Sequence, residues 1–106
     1  MSKNWYVYII ESSDSLLYTG VTTDMTRRWH EHCGNATGIY KGAKFFRGRK
    51  PKKLVFLSKR LSRSAACKSE SSIKKLSRKH KISLIQSNEN ELESLKITIL
   101  LKDDCF

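Results

Sequence analysis

The stretch that most restricts the fold is residues 5–32, NWYVYIIESSDSLLYTGVTTDMTRRWHEH when read from Asn4. Residues 5–10 (WYVYII) and 16–22 (LLYTGVT) are aromatic and β-branched, and the turn formers ESSDS separate them, which predicts a β-hairpin. Alternation along the first run puts Tyr6 and Tyr8 on one face and Trp5, Val7 and Ile9 on the other; Tyr18 shares a face with Leu16 and Gly20. Which face is buried stays open, and strand packing alone accounts for each tyrosine taken singly. Asp24 then reads as an N-cap and Gly34 as a terminator, so MTRRWHEHC forms a helix with Met25 and Trp29 on its buried stripe. At 100° per residue, Arg28 and His32 flank that stripe, whereas Arg27, His30 and Glu31 point away from it. Because residues two apart face different ways, His30, His32 and Cys33 make a poor zinc set.

A chain of 106 residues supports one core and one site. It contains no apolar run long enough to cross a membrane and no secretory leader pattern at its start. Cysteines 33, 67 and 105 are odd in number and without framework spacing, so an intracellular, reducing setting is expected, cytoplasmic or, in a nucleated cell, nuclear. The net charge of +11 is concentrated: residues 26–81 hold eighteen Lys/Arg against two acids, while residues 82–106 hold two against five. A field of that shape favours polyanions through counterion release. A solvated basic surface is the plain alternative, and an anionic membrane surface ranks well behind. Nucleic acid is the partner favoured, because the basic residues interleave with Tyr40, Phe45 and Phe46 in IYKGAKFFRGRKPKK. Lys41, Lys44, Arg47 and Arg49 in that loop, with Lys74 downstream, are the candidate contacts. The KPKK cluster is equally readable as a nuclear address.

Residues 54–57 (LVFL) read as a central strand. A long helix follows over SRSAACKSESSIKKLSRKH, capped by Ser62 or Ser64, with Ser62, Ala66, Ile73 and Leu76 along one stripe. Glu70 lies on the shoulder of that stripe beside Arg63 and Lys74, the sole acid between Glu31 and Glu89. It is either an i to i+4 partner of Lys74 or a hard oxygen ligand for Mg²⁺. Residues 87–106 begin acidic and end in LKITILLKDDCF, which suggests a strand or packed extension after a domain spanning 1–86.

Together these residues resemble the GIY-YIG nuclease superfamily, particularly its small stand-alone branch. Tyr6-Val7-Tyr8 stands for the GIY triplet and Tyr18-Thr19-Gly20 for YIG; Arg28, His32 and Glu70 fall on the family's arginine, helix histidine and metal-binding glutamate. The similarity covers roughly residues 4–86. It implies an α+β fold, a small mixed three-stranded sheet flanked by helices, and metal-dependent phosphodiester hydrolysis. By the same resemblance Glu70 would hold Mg²⁺ or Mn²⁺, Arg28 would stabilise phosphoryl charge, and Tyr8 or Tyr18 would activate or position the attacking water. The catalytic set so implied is Tyr8, Tyr18, Arg28, His32 and Glu70. Departures are Val21 where some members carry lysine, Ile82 near the place of a frequent asparagine, and Phe45 in place of a tyrosine. Two functions follow: an endonuclease acting on DNA, with RNA open and a structure-selective preference in view, or a non-catalytic nucleic-acid-binding protein on the same fold.

Overall fold

The structure is a computed structural model that describes residues 4–34 and 42–99, with side chains described as far as Lys96. Tyr40, Lys41 and Cys105 lie outside the described residues. The hairpin forms as expected: β1 (Trp5–Ser12) pairs antiparallel with β2 (Leu17–Thr22), placing Tyr8 opposite Gly20 and Ile10 opposite Tyr18. The reversal is pinned by Ser12, whose backbone N–H donates to the Leu16 carbonyl at 2.8 Å and whose Oγ accepts from the Leu16 N–H at 3.0 Å. Ser15 closes it at φ 67°, in the left-handed region where a Cβ is penalised. Ser15→Gly should therefore stabilise the fold by about 0.5 kcal/mol, read from urea unfolding midpoints, net of the entropy a glycine adds to the unfolded chain.

Asp24 caps α1 (Met25–Cys33), its carboxylate accepting from the Arg27 N–H at 3.0 Å, and Gly34 ends the helix at φ 80°. A single 3-10 turn, Lys44–Phe46, precedes β3 (Pro51–Arg60). β3 pairs antiparallel with β1, giving the order β2-β1-β3. The sheet is thus antiparallel throughout, where a mixed one was expected, and LVFL lies on an edge strand rather than the central one. β1 is the central strand because Val7, Tyr8, Ile9 and Ile10 are all buried, two on each face, which only a strand with neighbours and layers on every side achieves. The apolar continuity of LVFL has a different cause. A register shift between Ile9 and Ile10 leaves Val55 as an extra residue, so Leu54 and Leu57 both reach the face that holds Tyr8 and Ile10.

The face carrying Tyr8 packs with Met25 and Trp29 of α1, and with Phe46. The opposite face, Val7, Ile9 and Phe56, is covered by Ala66 and Ile73 of α2 (Arg63–Lys74). The long helix expected to run on through His80 is interrupted. Leu76 N–H bonds back to the Ile73 carbonyl at 3.0 Å, and Ser77, extended, caps a new helix α3 (Arg78–Ser87) through the His80 N–H at 3.3 Å. Leu76 accordingly leaves the buried stripe and sits exposed. A second correction concerns the tail: the acidic segment and the start of LKITILLKDDCF form one helix, α4 (Glu89–Ile99), so the strand alternative fails over residues 95–99, while Leu92 packs into the Tyr8 face of the core as an extension would. No helix among the described residues is long and apolar enough to cross a membrane.

Candidate active site

The site grows from Tyr8. Its ring crosses β2 at Gly20, so closely that a Cβ there would stand 2.5 Å from Cζ and 3.0 Å from Cε2, and closer still to the hydroxyl. Glycine at this register position is therefore a packing requirement of Tyr8, not a turn requirement. With Gly20 beneath it, the phenol reaches α1, where its Oη lies 2.7 Å from His32 Nε2. Tyr8 and His32 are each about 1% exposed. Tyr18 packs at their side, its ring centroid 6.2 Å from that of Tyr8 and 5.5 Å from that of His32.

The helical-wheel distinction between the two arginines holds in space: the Arg28 side chain is 24% exposed and that of Arg27 59%. Arg28 Nη1 meets Glu31 Oε1 at 2.9 Å, and the guanidinium charge acts on the Tyr8 phenol. Burial alone would weaken the Arg28 charge, but Glu31 and Tyr8 outweigh it and hold the guanidinium protonated. Glu31 stands outside the candidate set because the helical wheel turns it away from the buried stripe, yet it pairs with Arg28. Its spacing of three from Arg28 was the available signal.

Burial raises the Tyr8 phenol well above its ordinary value, Tyr18 adds to that, and the Arg28 guanidinium opposes it. Glu70 also acts on Tyr8 electrostatically, in the raising direction. Glu70 is carried by α2, which packs against both β1 and β2 and covers the sheet face opposite Tyr8. The Glu70 carboxylate pairs with Lys74 Nζ at 3.4 Å and retains partial exposure. Burial and the Arg28 charge push the His32 imidazole down to about 3.

Among the described residues no three His, Cys, Asp or Glu side chains gather as a metal cluster. Glu70 offers one hard carboxylate oxygen. That fits Mg²⁺, which keeps several waters and takes one or two protein carboxylates beside phosphate oxygens.

The basic segment divides. Lys44 and Arg47 are exposed and, with Ser13, Asp14, Phe45, Gly48 and Arg49, line a groove of about 300 Å³. Arg49 is already committed: its Nε donates to Asp14 at 2.8 Å, its Nη1 donates to the Phe45 carbonyl at 3.2 Å, and it stacks 4.5 Å above the Phe45 ring. It fastens the β1–β2 turn to the 3-10 turn. Phe46 is buried against His32 at 4.8 Å and belongs to the core rather than to a nucleic-acid surface.

Downstream of α2, an asparagine closes the edge of the sheet. Asn88 is buried at the outer edge of β3, where its Oδ1 accepts from the Leu57 N–H at 3.0 Å and its Nδ2 donates to the Leu57 carbonyl at 3.1 Å. It takes the role of a neighbouring strand for one residue.

Residues 4–83 match the family model described as the GIY-YIG catalytic domain. Among relatives, a UPF0213 protein of Syntrophus aciditrophicus is 47% identical over 92 residues, 87% of this chain and 100% of that protein. The UPF0213 protein YhbQ of Salmonella typhimurium is 39% identical over 102 residues, 93% of this chain and 97% of its own length. The solution NMR structure of the UPF0213 protein BH0048 from Bacillus halodurans is 44% identical, covers 78% of this chain and 83% of that one, and superposes with a TM-score of 0.49. With the two tyrosines, the glycine beneath one of them, the α1 arginine and histidine and the α2 glutamate all in the matched span, the chain belongs to the GIY-YIG nuclease family, in its small stand-alone branch.

Proposed function

We propose that this chain is a divalent-metal-dependent endonuclease that hydrolyses DNA phosphodiester bonds inside the cell. The observation that carries the reading is the convergence of Tyr8, Tyr18 and His32, with Arg28 one turn from His32 on α1 and Glu70 on a helix packed against both strands of the hairpin. Glu70 would hold Mg²⁺ or Mn²⁺, which when bound supplies Lewis-acid polarisation of the scissile phosphate. Arg28, kept charged and aimed by Glu31, binds the phosphoryl oxygens and stabilises the charge that develops on them. Tyr8 and Tyr18 orient the attacking water. A phenol raised by burial is almost wholly protonated at neutral pH, so in the resting protein Tyr8 works as a positioning hydroxyl. Lys44 and Arg47 draw in the backbone, with Lys74 at the Glu70 side; Lys41 joins them by sequence position, and Arg49 acts indirectly by holding their segment. A structure-selective preference fits a lone domain with no separate module for reading a long sequence.

The test is cleavage of branched, single-stranded and duplex DNA, and of RNA, by the purified chain and by Glu70→Ala, with Mg²⁺ or Mn²⁺ and with chelator. Metal-dependent nicking by the parent, reduced about ten- to a hundredfold in Glu70→Ala, is expected. Equal nicking by the two proteins would sink the role of Glu70. Binding without metal-dependent cleavage of any substrate would replace the enzyme by the nucleic-acid-binding reading.

A further inference from the structure

The Tyr8–His32 contact has a direction, and the Ala43 main chain sets it. Ala43 N–H donates to His32 Nδ1 at 3.1 Å. A backbone amide has only a proton to offer, so Nδ1 must present its lone pair. An imidazole whose Nδ1 accepts is neither cationic nor the Nδ1–H tautomer; it carries its proton on Nε2. Nε2 faces Tyr8 Oη at 2.7 Å, and of these two atoms the nitrogen is then the donor. The surroundings agree: the ring is 1% exposed and packed 4.8 Å from Phe46, and burial together with the Arg28 charge disfavours the cation a second proton would make.

We propose that His32 is a positioning residue that acts on Tyr8 as a neutral Nε2–H donor, its tautomer fixed by the Ala43 amide. The Tyr8 oxygen receives the His32 hydrogen bond, so its own proton is turned away from His32. Tyr8 consequently meets an incoming water or phosphate oxygen as a hydrogen-bond donor, and His32 does not withdraw the tyrosine proton. The residue doing the fixing, Ala43, directly precedes the 3-10 turn that carries Lys44 and Phe45. The segment offered to nucleic acid therefore also sets the proton arrangement at Tyr8. This deepens the endonuclease reading and rests on it for its catalytic half.

Two measurements on the full chain test it. In the first, long-range proton–nitrogen NMR of the ¹⁵N-labelled protein at pH 7 reads the His32 tautomer, with the signal assigned by its loss in His32→Gln. A protonated Nε2 with an unprotonated Nδ1 is expected; an Nδ1–H or doubly protonated ring overturns the proposal whether or not the protein cleaves anything. In the second, His32→Gln, whose amide N–H can still donate, and His32→Leu are compared in cleavage and in its pH dependence. His32→Gln should cleave at least tenfold faster than His32→Leu, with a pH profile parallel to that of the parent. Equal loss in the two variants, or a pH limb present in the parent and missing from His32→Gln, overturns the donor role. Failure of the parent to cleave, with the Nε2–H tautomer observed, defeats the endonuclease reading and the catalytic half of this proposal, while the tautomer assignment stands.

Discussion

Gly20→Ala should lower cleavage about a hundredfold and destabilise the fold by about 2 kcal/mol. The added methyl carbon would sit 2.5 Å from Tyr8 Cζ, against an ordinary contact of 3.4–4 Å. Relief therefore requires the ring to move by about an ångström. Tyr8 cannot do so cheaply, because its ring belongs to the buried cluster that includes Ile10, Met25 and Trp29, lies against Tyr18 and His32, and has its hydroxyl tied to His32. Overpacking of this kind costs about 1–3 kcal/mol, and a misplacement of about 1 Å at a reacting centre costs about a hundredfold in rate. The two losses separate in a double-mutant cycle. Tyr8→Leu removes the ring that the methyl would strike, so Gly20→Ala should cost far less stability in that background, with a coupling of about 1–2 kcal/mol by urea unfolding. Additive effects would mean that the glycine serves the strand backbone instead of the tyrosine.

Much of this site was legible locally. Asp24 and Gly34 bracket α1 by capping chemistry, and the wheel they define separates Arg28 from Arg27 without any tertiary information. The hairpin register follows from alternation, because a slip of one residue would exchange the two faces of β1. What escaped reading is carried by contacts with no sequence period. The Arg49–Asp14 pair joins positions thirty-five apart, so Arg49 looked like one more member of a basic run. Ser77 seemed an ordinary polar residue of a long helix, since a serine that caps and a serine on a solvated face look alike until the chain turns. The mixed sheet and the central LVFL both failed for one reason. β2 and β3 run in the same direction but lie on opposite sides of β1, so a helix crossover joins them without their ever pairing. The Nε2–H state of His32 depends on a backbone amide eleven residues on, in a segment that composition marked only as loop.

A chain ended after residue 86 should fail to fold stably, and this decides whether α4 is an extension or part of the domain. A boundary at 86 suits the span of the family match, which stops at residue 83. The packing argues for a larger unit. Asn88 is buried and meets both polar groups of Leu57; its Nδ2 also donates to Glu91 at 3.0 Å, and Glu91 accepts from Ser58 Oγ at 3.1 Å. Without α4 the outer edge of β3 loses these partners, and the Tyr8 face of the core loses Leu92. Each stranded backbone group costs about 1–3 kcal/mol where water cannot replace the partner, and removing a buried leucine about 2–5 kcal/mol. Water will reach part of the uncovered edge, so the low ends apply, and their sum is still about 4 kcal/mol. Against a total of about 5–15 kcal/mol for a domain of this size, that is a large share. Asn88→Ala isolates the edge contribution while keeping the helix; about 2–3 kcal/mol is expected, with a melting temperature lower by roughly 8–20 °C. Because Leu57 pairs with Tyr8 across β1 and β3, loosening there should also broaden the Tyr8 and His32 NMR signals before global unfolding. A truncated chain that melts where the full chain melts, with unchanged His32 signals, would place the domain boundary at 86 and reduce α4 to a covering of an already complete fold.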